Sequence, residues 1–197
     1  DEKLTILSSS RHSKKLRIGA LLGNRFVLTL RNITDATDVD MRLQQIAKLG
    51  VPNYFGEQRF GHDGKNLILG RQMLSGGRNI KDRHKRSMYL SAVRSNIFNQ
   101  VVSFRLGDCV MLAGSKSYFT VEAWDDVLTT RLAEKDIQLA APLWGRGTPL
   151  AQGDALAVEM MPLAEFSADL QGLEEAGLSQ ERRPLLLEPQ GMKWQFD

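Results

Sequence analysis

The 197 residues include 26 Lys and Arg, 23 Asp and Glu, three His and one Cys, and 42% of them are apolar. This length suits one domain, or one domain and part of another, with a sizeable core. A single cysteine excludes an internal disulfide, and one Cys with three His argues against a zinc site. A membrane span is not expected, because no apolar run approaches ~20 residues. The start, Asp1-Glu2-Lys3, has no signal-peptide pattern. The single cysteine, Cys109, favours a reducing compartment, so we expect a cytoplasmic protein.

Charge is distributed unevenly along the chain. Residues 1–106 hold 19 basic and 8 acidic residues, whereas residues 107–197 hold 7 and 15. A basic half suggests a polyanionic partner. The alternative is an ordinary solvated surface with uneven charge.

The first 50 residues predict two strands followed by a helix. We expect one strand over residues 14–22, and the alternation of apolar and other residues predicts a second over 26–31. Asn24 lies at the entry to the second strand, in a position typical of a turn. A helix is predicted to start at Thr37-Asp38 and to stop at Gly50.

Residues 50–61, GVPNYFGEQRFG, predict a rigid loop. They contain three glycines, one proline, three aromatic residues and one arginine. Pro52 favours an extended conformation at Val51, and glycines adopt angles closed to other residues. Aromatic rings here could stack on bases or fill a core. The pattern leaves two interpretations open, an RNA-contacting loop and a well-packed turn.

The middle of the chain predicts a turn, two helices and a basic segment. The turn covers residues 62–66, and a short helix over 66–74 ends at Gly76-Gly77. The sequence RNIKDRHKR, residues 78–86, carries five basic residues besides one histidine. A long helix is predicted from Ser87 to Leu106. Its apolar face comprises Leu90, Val93, Ile97, Val101 and Phe104, and a polar stripe comprises Ser91, Ser95 and Asn99.

The last 90 or so residues predict a succession of short elements. The first is a hairpin whose strands are Cys109–Ala113 and Tyr118–Val121 and whose turn runs from Gly114 to Lys116. A helix over 125–134 and a loop from Pro142 to Pro149 follow. Two helices are predicted across 151–176, with Pro162 in the first turn of the second, and the end over 184–197 is predicted to be partly extended.

Three segments together resemble one enzyme family. Residues 50–61, residues 19–32 (GALLGNRFVLTLRN) and residues 83–100 (RHKRSMYLSAVRSNIFNQ) are similar to the TruD family of tRNA pseudouridine synthases, in particular its bacterial members. The resemblance implies an α+β fold. It makes residues 1–49 a partial catalytic domain (strand, strand, helix) and residues 50–197 the family's mixed α/β insertion domain.

The resemblance also implies an activity, isomerisation of uridine 13 in the D arm of tRNA to pseudouridine. The expected partner is tRNA, the expected state is a monomer, and neither metal nor organic cofactor is expected. In the family the nucleophilic aspartate lies in a motif G-x-K-D-x-x-A-x-T-x-Q, which we expect upstream of this chain.

No catalytic residue is assigned within the 197 residues. The run from Lys81 through Asp82 matches the catalytic motif only superficially, because Asn79 stands where the motif has glycine and Lys85 where it has alanine. We expect Asp82 to be a surface residue. By resemblance, Asn24 contacts the substrate and Phe26 lies by the target base. The alternatives are a turn asparagine and a core phenylalanine.

Further residues are candidates for RNA contact, each with a solvated or structural side chain as the alternative. They are Arg11, Lys14, Lys15, Arg17, Tyr54, Arg59, Arg78, Lys81, Arg83, Lys85 and Arg86. Arg94, on the long helix, is expected to be structural and to pair with loop carbonyls near Asn53.

The chain departs from the family pattern at both ends. It lacks an initiator methionine, the catalytic motif and the family's C-terminal P-A-G-S-[YF]-A-T run, and its link after Leu106 is shorter. We therefore expect a fragment or processed product that is inactive alone. Two other hypotheses are a non-catalytic RNA-binding module and a structural interaction domain.

Overall fold

The computed structural model describes residues 5–11, 13–15, 23–105, 112–114 and 125–196. The chain divides into two compact units between Val39 and Asp40. Most of the predicted strand over 14–22 lies outside the described residues, as do Arg17 and the predicted strand Tyr118–Val121.

In the first unit, residues 23–36 form neither helix nor strand. The strand predicted over 26–31 is therefore wrong for this structure. Its apolar side chains face solvent, and Phe26 is 76% exposed. A strand forms only against a hydrogen-bonding neighbour, and these residues have none within the described ranges. The apolar alternation is present, but no described strand pairs with it.

The helices are the main elements of the second unit. They are α1 (Val39–Leu49), α2 (Glu57–Phe60), α3 (Lys65–Leu74), α4 (Arg83–Arg105), α5 (Asp126–Ala133), α6 (Gly153–Met160) and α7 (Ser167–Glu175). Two 3₁₀ helices, His62–Gly64 and Met161–Phe166, precede α3 and α7. The predicted helices over 37–49, 66–74, 125–134 and 151–176 are thereby confirmed to within a few residues. Pro162, predicted in the first turn of the last of these helices, lies instead at the start of the 3₁₀ helix that precedes α7.

Two small antiparallel sheets complete the described fold. The first pairs β1 (Val51–Pro52) with β5 (Leu186–Leu187). The second has the order β2-β3-β4, from Leu112–Gly114, Ile137–Leu143 and Glu181–Pro184. Helices and small sheets together confirm the predicted α+β class.

The hydrophobic core surrounds α4. Val93, Ile97 and Val101 are fully buried on this helix, as the predicted apolar face requires. Phe104 was predicted on the same face, but it is 44% exposed because it lies in the last turn. The helix begins four residues before the predicted Ser87, where Asp82 caps it.

The predictions for the C-terminal part need two corrections. Within the described residues β2 pairs with β3, and Gly114, predicted in a turn, is paired with Ile137. The predicted loop from Pro142 begins inside β3, which runs to Leu143. Pro142 lies opposite Arg182 and beyond the residues of β3 that pair with β2, where β3 has a strand neighbour on one side only among the described residues.

Candidate functional site

The loop of residues 50–61 is anchored at its start by backbone pairing. Val51 lies opposite Leu187 in the β1–β5 pair. Gly50, with φ +80°, stands so close to this strand that a Cβ would lie 2.7 Å from the carbonyl oxygen of Leu187. Any other residue would be strained both by its backbone angle and by this contact. Gly50 therefore fixes how the chain leaves α1.

Asn53 ties the loop to β4 and to the turn that follows it. Its backbone N–H donates to the carbonyl of Leu185 at 2.8 Å, and its side-chain amide donates to the carbonyl of Pro184 at 2.9 Å. Its Oδ1 accepts from Nη2 of Arg183 at 2.6 Å. Both ends of the Asn53 amide are thus engaged by β4.

Phe55 is partly buried and packs against the core. Its N–H donates to Oδ1 of Asn99 and its carbonyl accepts from Nδ2 of Asn99, both at 3.0 Å. Its ring meets that of Phe98 edge to face, with centroids 5.5 Å apart and planes at 77°. For this residue the interpretation as a well-packed turn is correct.

Two arginines face the same Phe55 ring. The guanidinium carbon of Arg183 lies 4.2 Å from the ring centroid and that of Arg59 lies 5.2 Å from it. Both distances are within the range of cation–π attraction. Burial lowers the pKa of Arg183 below its ordinary value, and the positive charge of Arg59 lowers this pKa further.

Tyr54 and Arg59 are parts of the loop that reach solvent. Tyr54 is 41% exposed, and its hydroxyl is hydrogen-bonded to that of Ser103 on α4 at 3.1 Å. Arg59 is exposed in the last turn of α2. Both side chains are accessible to a ligand, and the anchored residues of the loop fix the position of the backbone that carries them.

The basic segment, residues 78–86, leads into α4. Asp82 Oδ1 accepts from the N–H groups of His84 at 2.9 Å and Lys85 at 3.1 Å, which is helix capping. Asp82 is exposed, as expected of a surface residue. The five cations, Arg78, Lys81, Arg83, Lys85 and Arg86, are exposed, and none forms an ion pair within the described part of the chain.

The candidates in the first unit are also on the surface. Asn24 and Phe26 are exposed, which is inconsistent with a core phenylalanine in this structure. Arg11, Lys14 and Lys15 are exposed as well. A role for Asn24 and Phe26 in substrate contact stays a prediction.

Arg94 is structural, but its predicted partners were wrong. It donates to the carbonyls of Leu143 (2.9 Å) and Ser179, and it lies 3.3 Å from a carboxylate oxygen of Glu181. Burial lowers its pKa, and the charge of Glu181 opposes this shift. The arginine near Asn53 is Arg183, which no sequence pattern singled out. Arg183 lies in the acidic half of the chain, whereas the polyanionic partner was inferred from the basic half.

Among the residues that the structure describes, no group of three or more His, Cys, Asp or Glu is arranged to hold a metal ion. None of the helices in this described part is both long and apolar enough to cross a membrane.

Comparison with known proteins identifies clear relatives. A family model described as tRNA pseudouridine synthase D (TruD) matches residues 2–81. The tRNA pseudouridine synthase D of Shewanella oneidensis is 66% identical over 98% of this chain, which covers 54% of that protein. The protein of the same name from Aeromonas hydrophila is 50% identical over the whole chain, which covers 58% of it. The chain thus spans little more than half the length of these relatives.

A solved structure shares the fold. The crystal structure of a candidate tRNA pseudouridine synthase D from Methanosarcina mazei superposes with a TM-score of 0.61 and covers 81% of this chain and 58% of that one. The sequence identity is 18%, so this likeness concerns the fold alone.

Proposed function

We infer the function from one premise: the chain belongs to the TruD family of tRNA pseudouridine synthases. We propose that the protein isomerises uridine 13 in the D arm of tRNA to pseudouridine. The observation that carries this proposal is 66% identity over 98% of the chain to a tRNA pseudouridine synthase D. We expect the reaction in the cytoplasm, without metal or organic cofactor.

The reaction breaks the bond between uracil N1 and the ribose, turns the base, and joins the ribose to C5. The C5 proton is lost and N1 gains a proton, so the atoms balance. The target base must first leave its stack. Asn24 can hydrogen-bond the edge of the flipped uracil, and Phe26 can stack on it for ~1–3 kcal/mol. Both side chains are exposed and therefore available for these roles.

Residues 1–49 are proposed to be part of the catalytic domain and residues 50–197 the insertion domain. No aspartate in the 197 residues matches the family's catalytic motif. We propose that the nucleophile lies outside these residues and that the insertion domain contributes to tRNA binding through its basic segment.

The basic segment, residues 78–86, is the proposed surface for the tRNA backbone. Its five cations gather at the N-terminal end of a 23-residue helix, where the macrodipole disfavours positive charge. Its carboxylate, Asp82, is used for capping. A phosphate backbone would neutralise these cations and release counterions.

The first test measures tRNA binding by the 197-residue chain over a series of salt concentrations. The double variant Lys81→Gln, Lys85→Gln should reduce the slope of log affinity against log salt by up to about two, because each phosphate contact contributes about one. The control, Arg146→Gln with Lys193→Gln, removes two exposed charges from the acidic half and should leave the slope unchanged. A chain that does not bind tRNA contradicts the proposal.

The second test measures tritium release from tRNA labelled at C5 of uridine. The 197-residue chain should bind this tRNA without releasing tritium. Release by the chain alone would show that its nucleophile lies within these residues and would overturn our placement of it.

A further inference from the structure

Arg59 and Arg183 form a pair of like charges around one aromatic ring. The two distances to the Phe55 centroid, 5.2 Å and 4.2 Å, limit the separation of the guanidinium carbons to 9.4 Å. The arginines come from elements far apart in sequence, α2 and β4. Their approach is therefore a product of the fold and is not imposed by local chain geometry.

Neither arginine has a carboxylate partner in the described part of the chain. For Arg183 this is unusual, because Arg94 and Arg182, which also have limited exposure, pair with Glu181 and Glu159. Arg59 is exposed and in this respect resembles the arginines of the basic segment. Arg183 instead donates to the neutral Oδ1 of Asn53, and its buried Nε has no hydrogen-bond partner among the described residues. Two positive charges, one from α2 and one from β4, therefore lie beside the Phe55 ring, and no described carboxylate neutralises them.

The surroundings hold the guanidinium of Arg183, whereas the exposed Arg59 meets the loop through the Phe55 ring. Phe55 is bound at both backbone groups by Asn99, and its ring packs against Phe98. Asn53, which receives Arg183, is itself anchored to β4. A preorganised cation such as Arg183 loses less freedom when an anion binds, so the arrangement favours a ligand with negative charge.

We propose that Arg59 and Arg183 form one anion site, with Phe55 as its platform, which binds a phosphodiester group of the RNA backbone. The proposal rests on the proposed function, which supplies RNA as the ligand. A guanidinium presents a planar fork of donors that matches phosphate oxygens. A phosphate between the two groups replaces their mutual repulsion by two attractions. Arg59, which is exposed, gives the ligand access.

The site is tested by Arg59→Gln in the full 197-residue chain. Affinity for tRNA should fall about tenfold, the effect of one charge-assisted contact, and the salt slope should fall by about one. Arg59→Lys, which keeps the charge but loses the fork, should keep the slope and recover part of the affinity. Arg146→Gln, an exposed arginine in the loop after β3, is the control and should change neither quantity.

A double variant separates one shared site from two independent ones. Arg59→Gln with Arg183→Gln should weaken binding by less than the product of the two single effects, since both side chains act on the same phosphate. Thermal unfolding of each variant shows whether it is folded. Unchanged affinity and slope in a folded Arg59→Gln chain, while the wild type binds tRNA, would overturn the proposal.

Nuclear magnetic resonance of the arginine Nε–H groups tests the site without activity. Signals of both Arg59 and Arg183 should shift on titration with tRNA. A matching shift with inorganic phosphate identifies a general phosphate site, whereas a shift with tRNA alone identifies a site shaped for the phosphodiester. Shifts with neither overturn the proposal. If the wild type fails to bind tRNA, the proposed function fails, and the phosphate titration then decides this inference.

Discussion

Two asparagine side chains hold the loop of residues 50–61 by taking the place of backbone hydrogen bonds. Asn99 pairs with both the N–H and the carbonyl of Phe55, as a neighbouring strand would. Asn53 donates to the carbonyl of Pro184 while it receives Arg183. Amides used in this way order the loop because the polar groups they meet find partners.

These contacts could be predicted only in part from the sequence. Composition predicted that the loop was rigid, since glycine, proline and aromatic residues act locally. The partners of Phe55 and Asn53 lie 44 and 130 or more positions away. Asn99 was recognised only as one member of a polar stripe, and Arg183 gave no signal because its role exists only after β4 meets the loop.

The close crossing of α3 and α4 depends on one glycine. A Cβ at Gly70 would lie 2.6 Å from Cγ2 of Val93 and 2.7 Å from the carbonyl oxygen of Tyr89. Gly70→Ala should destabilise the fold by about 1–2 kcal/mol, because an overpacking cost of ~1–3 kcal/mol exceeds the helix-propensity gain of up to ~1 kcal/mol. Urea unfolding measures this change.

The matched control is Gly56→Ala. Gly56 has φ −79°, and no described atom outside its immediate chain neighbours lies within 4 Å of the position that a Cβ would take. Gly56 is the N-cap of α2, where alanine is the poorer cap, but alanine at a compatible φ gains ~0.4–1 kcal/mol through the unfolded state, so we expect a small net change. Equal stability of the two variants would show that the helices can separate at no cost.

At the level of elements, α4 shows which features the sequence encodes locally. Its apolar residues recur at helical spacing, so periodicity alone predicted the helix and most of its buried face. Its start was placed late because the basic residues after Asp82 have no apolar periodicity, whereas the capping bonds of Asp82 set the real start. Capping chemistry therefore decided the boundary.

Asp82→Ala should destabilise the second unit by about 1 kcal/mol, because two N–H groups of the first turn of α4 lose their acceptor. Asp82→Asn keeps an acceptor oxygen and should lose much less. Urea unfolding of both variants provides the measurement. Equal losses would mean that the charge of Asp82 matters and that its cap does not.

The strands were harder to predict than the helices. Residues 26–31 alternate well but have no strand neighbour among the described residues, whereas Ile137–Leu143 alternates poorly and forms the central strand β3. Pairing depends on distant segments, so alternation alone neither ensures a strand nor is required for one. Helical periodicity depends on residues close in sequence, so the helices were predicted more accurately than the strands.

At the scale of the whole molecule, the described burial is concentrated in the second unit. The hydrophobic cluster around α4 also contains side chains from α3, β3, α7 and the 3₁₀ helix Met161–Phe166. Residues 23–36 contribute no buried side chain. Stability should therefore differ greatly between the two units, since local stability follows buried contacts and protected hydrogen bonds.

Hydrogen exchange followed by mass spectrometry tests this difference. Amides in a peptide covering residues 24–34 should exchange near their intrinsic rates, because these residues belong to no described helix or strand. Amides in a peptide covering residues 89–102 should exchange only through global unfolding. Comparable protection of the two peptides would contradict the distribution of burial described above.

The exposed segment FVLTL, residues 26–30, has a consequence for the behaviour of the chain in solution. It combines strong strand propensity with no charge and no proline, which is the composition of an aggregation-prone window. Arg25 and Arg31 flank it and act as gatekeepers by mutual repulsion between copies. Because salt screens that repulsion, added salt should make concentrated solutions of the chain aggregate sooner. The same screening should lower the affinity of the chain for a nucleic acid.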